Sequence, residues 1–361
     1  MPDANISAPK IQTKQHFQIL DGLRGVAAIS VVIFHFMEVA VPKYPESFIA
    51  HAYLSVDFFF CLSGFVIAYA YDEKLKGIGL WNFFKLRLIR LHPLVIIGSV
   101  IGLLAFAFDP LTDLFTKYSG NSLLMFLASC FMVPYPLVHE RYFNLFHLNP
   151  PTWSLFWEYI ANVVYAFILV KIPNKVLWIL VAVAAVLLAM EAHRSGFLGV
   201  GWGGDNVAGG AYRVFYSFLA GILAYRSKWI IKSRIGFLPF AALLLLIFMI
   251  PFNEKTNPFV DPFIAIFIFP VLVALGAGAT LRNGLRPLCK FSGDISYPLY
   301  MIHYPIIWLF QSYVEAKKPM HNEMMLIMAI STIILIIMAW LILVYIDEPI
   351  RKYLKRKWIV Q

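Results

Sequence analysis

The stretch Gln18-Ile-Leu-Asp-Gly-Leu-Arg-Gly-Val-Ala-Ala-Ile-Ser-Val-Val-Ile-Phe-His-Phe36 decides how the rest of the chain is read. It reads as a first membrane-spanning helix, yet it carries Arg24 and His35 eleven residues apart. That interval is about three helical turns, so both project from one stripe with Ala28 and Val31 between them. At about 1.5 Å per residue the two are roughly 16 Å apart, half the thickness of a hydrocarbon core. An ionisable residue at such depth is costly and by default marks a pathway or a reaction centre. An arginine snorkelling to the interface and a histidine hydrogen-bonded inside a bundle would leave the same stripe.

Composition names the solvent. The chain is 60% hydrophobic and 16% aromatic, with only 14% charged residues, and its mean hydropathy is +0.74. These values lie well outside those of a soluble domain. The net charge of +10 therefore points to orientation in a bilayer and to anionic lipid, not to nucleic acid. Cys61, Cys130 and Cys289 lack CxxC or Cys/His ligand spacing, so they read as small core residues with no disulfide framework and no metal site. The polar first nineteen residues hold no signal peptide, and the first apolar run serves as a retained targeting signal.

Eleven apolar stretches follow: 20–41, 53–71, 92–108, 122–133, 152–170, 176–190, 211–225, 237–252, 263–281, 295–313 and 324–346. The fourth is too short for a helix that needs about twenty residues to cross the core. If it stays on the surface, the basic loops around Arg226–Arg234 and Arg282–Lys290 face inward, and 22 of the 30 Lys and Arg lie inside against eight outside. The positive-inside rule selects that arrangement. The expected fold is an all-α integral membrane protein of about ten transmembrane helices. Both termini are cytoplasmic, and a short non-spanning helix lies near 122–133. Residues 1–16 form a cytoplasmic tail, 17–350 one membrane domain and 351–361 a basic cytoplasmic tail.

That topology converts position into depth. His35, Asp57 and Glu158 each fall four to six residues below the outer end of a helix, about 6–9 Å down. A histidine with two carboxylates at one depth suits general-base chemistry, in which an acid fixes the tautomer and stabilises the imidazolium. Three separately satisfied buried polar residues would look the same. A second layer is cytoplasmic: Arg87 and Arg90 share one helix face and Arg24 enters from the same side. Three converging guanidinium groups suit a phosphorylated ligand, although an RxxR beside a membrane helix also serves as a lipid-headgroup anchor. Ser63 with Gly64 reads as a close-packing site within a helix. Tyr297, Tyr300 and His303 bring a polar patch into a helix kinked by two prolines.

Leu20-Asp-Gly-Leu-Arg-Gly25 with His35, Asp57-Phe-Phe-Phe-Cys-Leu-Ser-Gly-Phe65, Arg87-Leu-Ile-Arg90, Thr152-Trp-Ser-Leu-Phe-Trp-Glu158, Ser296-Tyr-Pro-Leu-Tyr-Met-Ile-His303 and Asp347-Glu-Pro349 occur in this order. Together, over residues 17–350, they resemble membrane-bound acyltransferase family 3. The resemblance implies a ten-helix enzyme of the bacterial inner membrane that uses cytoplasmic acyl-CoA, often acetyl-CoA, as donor. It implies an acceptor hydroxyl on a cell-envelope polysaccharide or lipid-linked sugar, and no permanently bound cofactor. By this carry-over His35 is catalytic and Arg24, Arg87 and Arg90 hold acyl-CoA; the depth reading adds Asp57 and Glu158 as candidates for orienting His35. Ser63, Trp153, Tyr297 and His303 are candidates for the acceptor site or a tunnel narrowed near Ala28 and Val31. Some relatives carry a C-terminal hydrolase-like domain; with the sequence running to Gln361, such a step is expected from a partner. The competing reading is a proton-coupled transporter using His35, Asp57 and Glu158 as a relay.

Overall fold

The computed structural model describes residues 17–359, the Asn283 side chain excepted. The expected tail at 1–16 and the last two residues of the basic tail lie outside the described residues. In chain order the helices are α1 (Gln18–Ala40), α2 (Ser55–Tyr71), α3 (Leu75–Ala107), α4 (Leu114–Tyr118), α5 (Ser122–Cys130), α6 (Thr152–Phe167), α7 (Asn174–Ser195) and α8 (Val207–Arg226). They continue with α9 (Phe237–Phe248), α10 (Asn257–Phe263), α11 (Phe269–Gly278), α12 (Arg286–Lys317), α13 (His321–Ile342) and α14 (Glu348–Trp358). Short π-helical turns at Ile264–Ile268 and Leu343–Asp347 join α10 to α11 and α13 to α14. Among the described residues there is no β-strand, only two isolated bridges.

Eight stretches are long and apolar enough to cross a membrane. The other two of the expected ten are helices as well, each short of that mark for a different reason. The apolar α9 has only 12 residues, whereas α12 has 32 but mixes polar side chains such as Ser296, Tyr297, His303 and Gln311 into its apolar part. The short helix expected near 122–133 is α5, nine residues long, with Leu123 and Leu124 exposed. Its length is well below the roughly twenty residues a crossing needs.

Two helix pairs form the centre, and small residues make both possible. A Cβ at Gly25 would lie 2.4 Å from the Cβ of Ser292, and one at Gly293 would lie 2.6 Å from the Cβ of Asp21. Thus α1 and α12 touch backbone to backbone. Gly22 meets Cys289 and Gly25 meets Ser292, while His35 meets His303 further along, so these helices run parallel. In the same way a Cβ at Gly64 would lie 2.0 Å from the Phe218 carbonyl, and one at Gly221 would lie 1.9 Å from that of Cys61. With Asp57 on Arg213 and Phe65 on Tyr225, α2 and α8 are parallel too. Between membrane helices, where apolar burial supplies little net drive, such close approach is a main source of association. The three cysteines are buried, and no disulfide is present among the described residues.

The connection from α5 to α6 is not a surface loop. Val138, Asn149 and Thr152 have no exposed surface, and His147 and Arg141 are 2% and 3% exposed. Arg141 donates to the His147 carbonyl at 2.9 Å, and its guanidinium lies 4.7 Å from the Phe106 ring centroid and 4.9 Å from that of Trp308. Two of the eight cations assigned to outer loops, Arg141 and Arg213, are therefore core residues with dedicated partners.

Burial, reinforced by the Arg141 charge, pushes the His147 imidazole down to about 3. In the unfolded chain it titrates near 6.5. The unfolded state therefore takes up a proton below about 6.5 that the fold refuses until about 3, so acidification through this window lowers stability. Fluorescence-detected melting of the purified protein should show a midpoint that falls from pH 6.5 to 4. His147→Gln should flatten that slope by up to about 1.4 kcal/mol per pH unit.

Candidate active site

A cavity of about 470 Å³ opens among α1, α2, α3, α6, α12 and the start of α14. Its walls carry the basic layer. Arg24 donates from Nε to Ser296 Oγ at 2.8 Å and from Nη2 to the Gly293 carbonyl at 2.7 Å, so α12 holds it. Arg87 donates to Glu158 Oε1 at 2.8 Å, and Ser63 Oγ donates to the same oxygen at 2.8 Å. Arg351 pairs with Asp347 at 2.8 Å, while its Nε and the Asp347 Oδ1 are buried without partners. Arg90 lines the cavity and makes no hydrogen bond or ion pair among the described residues. It is thus an uncommitted guanidinium beside Arg87, Arg24 and Glu158.

The deep wall of this cavity is formed by Phe59, Ser154 and Tyr300. The Ser154 and Tyr300 hydroxyls are 2.8 Å apart, and the Phe59 and Tyr300 rings are 5.7 Å apart. Tyr297 lines the cavity and donates its hydroxyl to the Leu91 carbonyl at 2.7 Å. An open tunnel past Ala28 and Val31 is not present: both are packed in the core at 0% and 2% exposure. Their stripe faces α12, and Gly22 and Gly25 of α1 with Gly293 of α12 draw the two helices too close to leave a channel.

His35 lies one helical turn beyond that wall, beside His303. Its Nδ1 is 2.5 Å from Glu38 Oε2, and Tyr44 donates to the other oxygen of Glu38 at 2.7 Å. A carboxylate accepts, so His35 carries the proton on Nδ1 and presents Nε2 as a base. The His303 ring stacks on that of His35 at 5.4 Å and 20°. Its own Nδ1 donates to the Tyr300 carbonyl at 2.8 Å, leaving Nε2 buried without a partner. The edge of Tyr304 meets His35 at 4.8 Å.

The carboxylates assigned to His35 from depth are engaged elsewhere. Asp57 is fully buried and accepts from Arg213 Nη2 at 2.6 Å and Nε at 3.1 Å. Arg213 also donates to the Tyr53 and Val200 carbonyls and sits 5.3 Å from the Trp153 ring centroid. Trp153 therefore supports this ion pair and does not line the cavity. Glu158 belongs to the basic layer, where it accepts from Arg87 and Ser63 and lines the cavity. The transporter relay would need all three groups on one path, and guanidinium partners hold two of them apart.

Residues 17–345 match the family model described as an acyltransferase domain. The chain belongs to the acyltransferase 3 family. It is 36% identical over 190 residues to a Rhizobium radiobacter protein named protein 2 in the picA locus, covering 49% of this chain and 95% of that protein. It is 26% identical over 375 aligned positions to the O-acetyltransferase OatA of Staphylococcus aureus, covering 95% of this chain. The chain spans 58% of the length of OatA. No solved structure matches it.

Glu38, Tyr44, Tyr304, Arg213 and Arg351 went unassigned from sequence. The His35-x-x-Glu38 spacing was the available signal, since residues three apart share a helix face. Arg213 was hidden by its nearness to the predicted end of a span. If Asp57 is structural, removing one partner of its buried pair should cost about 3–5 kcal/mol. Arg213→Leu should show that loss in a denaturation series, with part of it recovered in the Asp57→Leu/Arg213→Leu double variant. A reacting Asp57 would instead lower kcat in Asp57→Asn without lowering stability.

Proposed function

We propose that this chain is a membrane O-acyltransferase that uses cytoplasmic acyl-CoA, acetyl-CoA in the simplest case. The acceptor is a hydroxyl of a cell-envelope polysaccharide or lipid-linked sugar on the outer side of the bacterial plasma membrane. The observation that carries the reading is the His35–Glu38 contact of 2.5 Å. It gives a base of defined tautomer one turn beyond a cavity whose Arg90 lacks a partner. Ten crossings with both termini inside fit the helix directions. Parallel neighbours must be separated by an odd number of crossings. α1 and α12 satisfy this when α9 crosses, and α2 and α8 satisfy it when α5 does not.

In this reading Arg90, joined by Arg24, Arg87 and Arg351, binds the phosphates of coenzyme A through charge-assisted hydrogen bonds. The pantetheine arm extends along Ser63 and Tyr297 towards Tyr300. His35 Nε2 takes the proton of the acceptor hydroxyl as its oxygen attacks the thioester carbonyl. Glu38 stabilises the imidazolium, which then protonates the departing thiolate of coenzyme A. Movement of the Tyr300 wall must admit the thioester.

His35→Ala should lower kcat by about 10²–10⁴-fold with normal membrane insertion. Glu38→Gln should lower kcat by a smaller factor and leave donor KM unchanged. Arg90→Ala should do the reverse, raising the donor KM with little change in kcat. One lost charge-assisted contact is worth about 1.5–3 kcal/mol, or roughly 10–150-fold. Turnover measured against acetyl-CoA concentration separates these outcomes, and full activity in His35→Ala would defeat the mechanism.

A further inference from the structure

His35 keeps 22% of its side chain exposed, although the basic cavity ends at Tyr300. A file of aromatic rings in contact with one another joins His35 to the surface. Tyr142, 58% exposed, lies 6.5 Å from the Trp308 ring at 25°. Trp308 meets Tyr304 at 5.0 Å, and Tyr304 meets His35 at 4.8 Å. On α12 the residues Tyr304, Trp308, Gln311 and Glu315 follow at intervals of four, three and four, which puts them on one face.

The file is held in place from several directions. Trp308 donates its indole N–H to the His147 carbonyl at 2.9 Å and has the Arg141 guanidinium 4.9 Å from its ring. Tyr142 and Phe143 both adopt left-handed backbone conformations, with φ of 57° and 51°. Two such residues in succession are strained, and strain of this kind is retained where the surroundings impose it, often at binding sites. The outer end is polar: Gln311 Nε2 donates to the Tyr142 hydroxyl at 3.1 Å and to Glu315 Oε1 at 2.7 Å.

We propose that this file is the acceptor site and that it takes a saccharide ring, Tyr142 providing the first platform. A pyranose has an apolar C–H face that packs on aromatic rings and a hydroxyl edge that suits an amide, a carboxylate and a phenol. An acyl chain lacks the hydroxyl edge, and a peptide of small side chains such as tetra-alanine lacks the flat C–H face. Trp308 is buried at 4% exposure, so it and Tyr304 must shift before a ring hydroxyl held at Tyr142 reaches Nε2 of His35. The assignment rests on His35 as the transfer centre, but the binding it describes does not need an acyl donor.

The test uses the full chain in lipid nanodiscs and saturation-transfer NMR with tetrasaccharides of glucose and of N-acetylglucosamine, with tetra-alanine as the competing class. Two variants separate ring from fold: Tyr142→Phe keeps the aromatic face, and Tyr142→Asn removes it while tolerating the left-handed backbone. The wild type and Tyr142→Phe should pass saturation to the C–H protons of a saccharide. Tyr142→Asn should weaken that binding at least tenfold and leave coenzyme A affinity unchanged. No saccharide signal in the wild type, an unaltered signal in Tyr142→Asn, or an equal signal from tetra-alanine would overturn the proposal. Because acyl donor is absent from the saccharide measurement, failure of the acyltransferase reading would appear separately, as loss of coenzyme A binding or of thioester turnover.

Discussion

Everything else in the molecule depends on how closely α1 packs along α12. Glycines at 22, 25 and 293 remove the side chains that would hold the two helices apart. The resulting seam is sealed further by Arg24, whose guanidinium bonds to Ser296 and to the Gly293 carbonyl. Parallel direction is as important as distance. It puts the first halves of both helices beside the basic cavity and brings His35 and His303 together one level further along. Both polar centres are therefore built on the same two rigid elements, as a site that must hold its geometry requires.

A low-dielectric interior cannot leave charges alone, and this rule decides which carboxylates remain available. Asp57 is saturated by Arg213, and the pair is surrounded by the Tyr53 and Val200 carbonyls and the Trp153 ring. Glu158 is shared between Arg87 and Ser63. Glu38, partly exposed and only one turn from His35, has no guanidinium partner and binds the imidazole instead. Arg90 is the converse case, a cation of the open cavity that no carboxylate bonds among the described residues. A resting site that contains an unpaired guanidinium is prepared for an anionic ligand.

The wall between the two centres is thin but closed. Ser154, Tyr300 and Phe59 end the cavity, and the orphaned Nε2 of His303 lies just behind them. A buried polar atom without a partner is costly to maintain. This one lies between the basic cavity and His35, where the thioester of the proposed donor would have to pass.

Much of this was legible in the chain itself. Hydropathy and length defined most of the membrane helices, and the charge bias set aside the short stretch at 122–133. The eleven-residue interval defined the Arg24–His35 stripe because it follows from helical geometry alone. Family motifs in register then supplied the chemistry. The partners of each charge were decided only by tertiary structure. Depth along a helix is one coordinate, and it could not show that Arg213 turns onto Asp57 or that Glu158 accepts from Arg87 and Ser63. Nor could it show that glycine-mediated contact closes the path beside Ala28 and Val31. Those outcomes depend on which helices are neighbours and how closely they approach, and they required the packed bundle.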